Sequence, residues 1–172
     1  MTMMLGLSLP AFTMLHVAIS LVGIAAGLVF FVGLAAGRWR TLWNGLFLLF
    51  TILTSVTGFL FPPKPIGPPF LFGVVSLILL AIAVFALYAR GASGRWRAVY
   101  LVPALIAQWL NMVVLVVQGY QKIPALHALA PTGAEPPVLV TQAVLLLAVI
   151  GLGWRTIGSG VVMPAGRTPP LS

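Results

Sequence analysis

A chain of 172 residues that is 61% hydrophobic and only 6% charged cannot be a water-soluble domain, because soluble domains carry about 25% charged residues to cover their surface. Its formal charge of +8 does not indicate a nucleic-acid partner, since the basic residues lie in short gaps between apolar runs and form no stripe on a soluble module. Cysteine is absent, which removes disulfide frameworks, thiolate metal sites and thiol catalysis.

Five uncharged apolar runs divide the chain: Ala11–Ala36, Leu42–Phe61, Phe70–Ala89, Ala98–Gln121 and Val138–Trp154. Each approaches the roughly 20 residues that cross a bilayer core, and backbone groups in lipid must be paired internally. The expected fold is all-α, a single transmembrane domain over 1–172. It is an up-and-down integral membrane bundle of five transmembrane helices, at about 10–37, 42–61, 69–90, 96–121 and 136–155. The lipid bilayer is its first partner.

The charges orient this bundle. Arg38 and Arg40, then Arg90, Arg95 and Arg97, then Arg155 and Arg167 fill alternate gaps, while Lys64, Lys122 and Glu135 fill the others. Basic residues beside helix ends are retained on the cytoplasmic side. The amino terminus is therefore expected outside, the carboxy terminus in the cytoplasm, and the basic face against anionic headgroups. A prokaryotic plasma membrane is the expected setting. Trp39, Trp43, Trp96, Trp154, Tyr88 and Tyr100 fall at the same predicted inner interface, where amphipathic rings collect; Trp109, well inside the fourth run, does not.

Residues 1–10 hold no basic side chain, and the first run is 26 residues long, beyond the 7–15 apolar residues of a secretory signal. It reads as a retained helix that starts at Ser8 with Pro10 in the following turn. Thr13, His16, Ser20, Gly23 and Gly27 share one of its faces. Gly23 with Gly27, and Gly33 with Gly37, form small-xxx-small pairs that let helices approach. These four glycines are read as packing positions, which also suits a membrane partner subunit or a homo-oligomer. On the second run Thr41 reads as an N-cap, and Asn44, Thr51, Ser55 and Gly58 align. The connector 61–70, with five prolines, reads as stiff and extended.

Ser93 reads as the cap of the fourth helix, which places Asn111, Gln118 and Lys122 on one side with Gln108 nearby. Residues 124–130 predict a short interfacial helix carrying His127. Thr132 with Glu135 fits a capping box ahead of the fifth helix, and residues 158–172 are expected to form a disordered tail. Gly37-Arg38-Trp39-Arg40-Thr41-Leu42-Trp43 parallels Gly94-Arg95-Trp96-Arg97-Ala98-Val99-Tyr100. The parallel reads either as a duplicated hairpin or as two short turns converging on interface residues.

The chain has no phosphate-cradling glycine loop, HExxH or paired carboxylates, so no catalytic or metal residue is assigned. His16 is the single ionisable side chain inside a run, which disfavours a proton relay built from chains of Asp, Glu or His. At 1.5 Å per residue it lies about 9 Å below the outer edge. Thr54, Ser55, Thr57, Ser76, Thr141 and Gln142 reach similar depth, while Asn44 alone falls clearly in the inner half. This layering predicts an outward polar pocket lined by His16, Ser55, Asn111 and Gln118, with Lys64, Lys122, His127 and Glu135 at its rim.

Such a pocket would hold an amphiphile, a quinone or lipid, or receive a partner subunit, making the chain a non-catalytic binding or accessory module. The same polar residues also serve as interhelical glue, at about 0.6 kcal/mol each. Two alternatives remain. A small-solute permease needs a polar path through the inner half. A haem redox protein would use His16 as axial ligand, with a second histidine from His127 or another subunit.

Overall fold

In lipid, backbone groups would have nothing but one another to bond, and each of the five runs closes into a long helix. The computed structural model describes residues 3–62 and 67–161. Its helices are α1 Leu9–Ala35, α2 Thr41–Phe59, α3 Pro68–Val84, α4 Arg95–Lys122, α5 Pro124–His127 and α6 Pro136–Gly158, with a π turn, Phe85–Ala89, prolonging α3. All but α5 are long and apolar enough to cross a membrane. Lys64 and Arg167 lie outside the described residues, as do positions 162–172 of the expected tail.

Ahead of α1, strands β1 (Met3–Met4) and β2 (Leu7–Ser8) pair antiparallel, an element that hydropathy does not foreshadow. The turn residues Leu5 and Gly6 both have positive φ, 50° and 79°, as a tight hairpin turn demands. Gly6 adopts this without cost, and Leu5 does not.

The long helices alternate in direction. α1 packs along α2, α2 on α3, α3 on α4 and α4 on α6, which returns to α1, and α4 touches every other helix. The ends of α1, α3 and α6 therefore share one end of the bundle with the starts of α2 and α4. All six described arginines gather there, whereas Lys122, His127 and Glu135 stand at the opposite end.

Cap chemistry departs from expectation around the first and fourth helices. Arg38 N–H bonds to the Gly33 carbonyl at 2.9 Å and Gly37 N–H to that of Leu34 at 3.0 Å, with Gly37 at φ 78°. This is a Schellman closure. Gly37 stops α1 and is not a packing position, and a Cβ there would meet nothing within 4 Å. Thr41 is the first residue of α2 behind an Arg40 cap, and its Oγ1 accepts from Trp39 Nε1 at 3.1 Å. Gly94, not Ser93, is the residue before α4, at φ 53°. Consequently 38–40 form a loop while Arg95-Trp96-Arg97 form a first helical turn. The two Gly-Arg-Trp-Arg stretches share composition but not local structure.

The core lies toward the arginine end. Phe30, Phe31 and Leu34 of α1, Phe47 of α2, Ala83 of α3 and Tyr100, Leu101 and Ala104 of α4 are fully buried there. This interior is aromatic and aliphatic. Tyr100, expected as an interface anchor, is inside and donates to Asn44 Oδ1, while Trp154 is 82% exposed. Buried polar residues are spread along the bundle (Asn44, Thr51, Ser55, Ser76, Gln108, Thr156) and are not confined to one half. Ser and Thr tolerate any depth because their hydroxyls can bond the carbonyl one turn back on their own helix. α6 adds only Val138, Gly153 and Thr156 to the interior.

Candidate functional site

Phe12 and His16 are four residues apart on α1 and so share a face, which is turned to α2. Phe61, just beyond α2, meets both rings edge-on, at centroid distances of 5.0 Å and 5.2 Å. His16 Nδ1 lies 2.8 Å from Thr57 Oγ1. The Thr57 hydroxyl has a single hydrogen, and the Leu53 carbonyl accepts it at 2.7 Å. Nδ1 must then be the donor to Thr57, a tautomer assigned from the network. The lone pair of neutral His16 is left on Nε2, which has no hydrogen-bond partner among the described residues. The ring is half-buried.

The four residues expected to line one pocket are not brought together. Ser55 is buried and donates to the Thr51 carbonyl at 3.1 Å. Asn111 Nδ2 reaches Thr51 Oγ1 at 3.4 Å. These two meet around Thr51, six residues and about 9 Å along α2 from Thr57. Gln118 is exposed. At 100° per residue it is rotated about 80° from the buried Gln108, enough to leave the packed face. Of the expected rim, Lys122 and His127 are exposed and Lys64 lies outside the described residues.

Glu135 binds its own loop. Its carboxylate accepts from the Thr132 N–H at 2.8 Å, the Thr132 hydroxyl at 2.9 Å and the Ala134 N–H at 3.0 Å. These bonds, the Thr132 backbone foremost, hold its pKa down to about 2. The expected capping box does not form: Glu135 is itself the N-cap residue and its side chain makes no cap bond. Pro136 and Pro137 have no N–H to offer it.

Three of the four glycines do sit at close approaches inside the chain. A Cβ at Gly23 would lie 3.3 Å from the Phe50–Thr51 backbone, and one at Gly27 would lie 2.6 Å from Gln108 Cδ and 2.8 Å from Phe47. Gly33 differs, because its neighbour is the Arg40 side chain at 2.8 Å and not another helix.

Sequence reasoning gave no structural role to two side chains. Gln108 Nε2 donates across to the Ile24 carbonyl at 3.0 Å. Arg97 donates to the carbonyls of Thr156 and Val161 and to Ser159 Oγ at the end of α6. The available signal for Arg97 was an arginine in the first turn of a helix, opposed to the helix dipole and so in want of another partner.

The chain matches no protein-family model, no curated protein and no solved structure. Its chemistry is carried by the residues themselves. Among the described residues no three of His, Asp and Glu approach as a metal site would require. His127 stands on α5, which packs on α4 alone, so it is not delivered to His16. What remains is an imidazole clamped through Nδ1 between Phe12, Thr57 and Phe61, with Nε2 available to accept a hydrogen bond.

Proposed function

We propose that this chain is a multi-pass protein of the plasma membrane, amino terminus outside and carboxy terminus in the cytoplasm. It binds and does not catalyse, holding the head of a hydroxyl-bearing amphiphile, a quinol or a lipid, against His16. The observation that carries this reading is the split role of the imidazole: Nδ1 is committed to Thr57 at 2.8 Å, and Nε2 is left as an acceptor beside aromatic rings. An acceptor nitrogen in an apolar setting selects a donor hydroxyl and welcomes an apolar body around it.

A permease is less well supported. A solute path would have to pass Phe30, Phe31, Phe47 and Tyr100, none of which has any exposed surface. The test is native mass spectrometry of the protein purified from its membrane, with co-purified quinones and lipids extracted and quantified. His16→Ala should lose about tenfold in retained ligand, as expected for one hydrogen bond of about 1.4 kcal/mol. Thr57→Val should show a smaller loss through a freed ring. An unchanged ligand complement in folded His16→Ala protein would sink the proposal.

A further inference from the structure

We infer that Arg90, Arg95 and Trp96 form a binding site for the phosphate of an anionic phospholipid headgroup. The Arg90 guanidinium carbon lies 4.8 Å from the Trp96 ring centre, and that of Arg95 lies 5.9 Å from the same ring. Phe85 closes the group, 5.8 Å from Trp96 edge-on and 5.9 Å from the Arg90 guanidinium. Two like charges are thus gathered on one indole. A guanidinium over an aromatic face uses none of its N–H donors there, and those donors are the groups that receive phosphate oxygens in pairs.

Nothing among the described residues balances them. Neither guanidinium donates a hydrogen bond to any described residue, although Arg97 two positions on makes several. The single acid of the chain, Glu135, precedes α6 at the far end of the bundle, about 34 Å away along its 23 residues. The first turn of α4 holds no acidic residue either, so an anion here also meets the positive end of that helix. The turn is held in place. Ala92 is buried, with its N–H bonded to the Ala86 carbonyl at 2.9 Å. Tryptophan and arginine at the end of an apolar helix lie at headgroup depth in a bilayer, where the abundant anion is lipid phosphate. The site stands at the opposite end of the bundle from His16.

Native mass spectrometry in uncharged detergent, titrated with phosphatidylglycerol or phosphatidylcholine, tests it. Wild-type protein should bind phosphatidylglycerol on the order of 10- to 30-fold more tightly than the Arg90→Gln/Arg95→Gln variant, from the contribution of two surface arginines. Arg38→Gln, an exposed arginine at the same end, should bind as wild type does. Equal affinity in the double variant, or equal binding of the zwitterionic lipid by wild type, would overturn the site. Inorganic phosphate should not displace the lipid at matched concentration; if it does, the site belongs to free phosphate and the lipid assignment fails. Should the double variant not fold, wild-type affinity for phosphatidylglycerol must still fall as sodium chloride rises, and salt-independent binding overturns the proposal.

Discussion

Arg97 Nη2 donates to the carbonyl oxygen of Thr156 at 2.9 Å, so the first turn of α4 closes the last turn of α6. The cation sits where the carbonyls of α6 end and its dipole is negative. Ser159 Oγ, also at 2.9 Å, and the Val161 carbonyl complete the set.

Arg97→Met should therefore cost about 2 kcal/mol, since hydrogen bonds to a charged group contribute about 1.5–3 kcal/mol. The loss should be local. Hydrogen exchange ought to accelerate across 153–161 while the α1–α2 contact keeps its protection. A thermal transition identical to wild type, with unchanged exchange at those amides, would show that this arginine is a bystander.

Glycine substitutions should separate close approach from open space. Gly27→Ala places a methyl group 2.6 Å from Gln108 Cδ and 2.8 Å from Phe47, and overpacking of this kind costs about 1–3 kcal/mol. Gly45→Ala, on α2 with nothing within 4 Å, should be neutral or stabilise by up to about 1 kcal/mol through helix propensity. Melting both variants in one detergent decides it, and equal behaviour would remove the steric account.

Tyr100→Phe should destabilise by about 1–3 kcal/mol, because it strands Asn44 Oδ1 in a site where both residues are buried. Tyr100→Phe combined with Asn44→Leu should recover part of that loss, as no polar atom is then orphaned. A double variant as unstable as the sum of the two single variants would show that the pair does not interact.

Glu135 predicts a pH window. Its carboxyl titrates near 2 in the folded loop against an ordinary 4.5. Between those values the unfolded loop binds more protons than the folded one, so loop stability rises with pH across the interval. The contribution is complete above about 4.5 and is lost as pH falls through about 2. Protection of the Thr132 amide, its exchange rate divided into the intrinsic rate at the same pH, should be high at neutral pH and fall toward the acid end of the window. Glu135→Gln should show low protection without that dependence, and a wild-type protection profile flat across the window would contradict the loop geometry.

The five spans were legible because hydropathy summed along a run needs no partner. What pairs with what was not. Gly33 and Gly37 look alike in sequence, yet one lies under Arg40 and the other turns left-handed to end a helix, a distinction that depends on where α1 stops. Tyr100 shares its predicted depth with Tyr88, but only the helix neighbours decide that Tyr100 points inward to Asn44 while Tyr88 is exposed. Depth and spacing group Gln118 with Asn111 and Lys122, but which face of α4 is packed depends on its neighbours, and that put Gln108 inside and Gln118 outside. His16 was legible as the one histidine, acid or base within the five apolar runs. Its clamp by Thr57 and Phe61 was not, because it forms only where the start of α1 meets the end of α2.

The central place of α4 has a consequence for how the protein is made. A chain threaded from its amino terminus into the proposed membrane has α1, α2 and α3 in lipid before the helix that touches all of them is synthesised. During that interval Asn44 lacks Tyr100, Thr51 lacks Asn111, and the groove at Gly27 that receives Gln108 stands open to acyl chains. Arrival of the fourth span supplies all three partners at once.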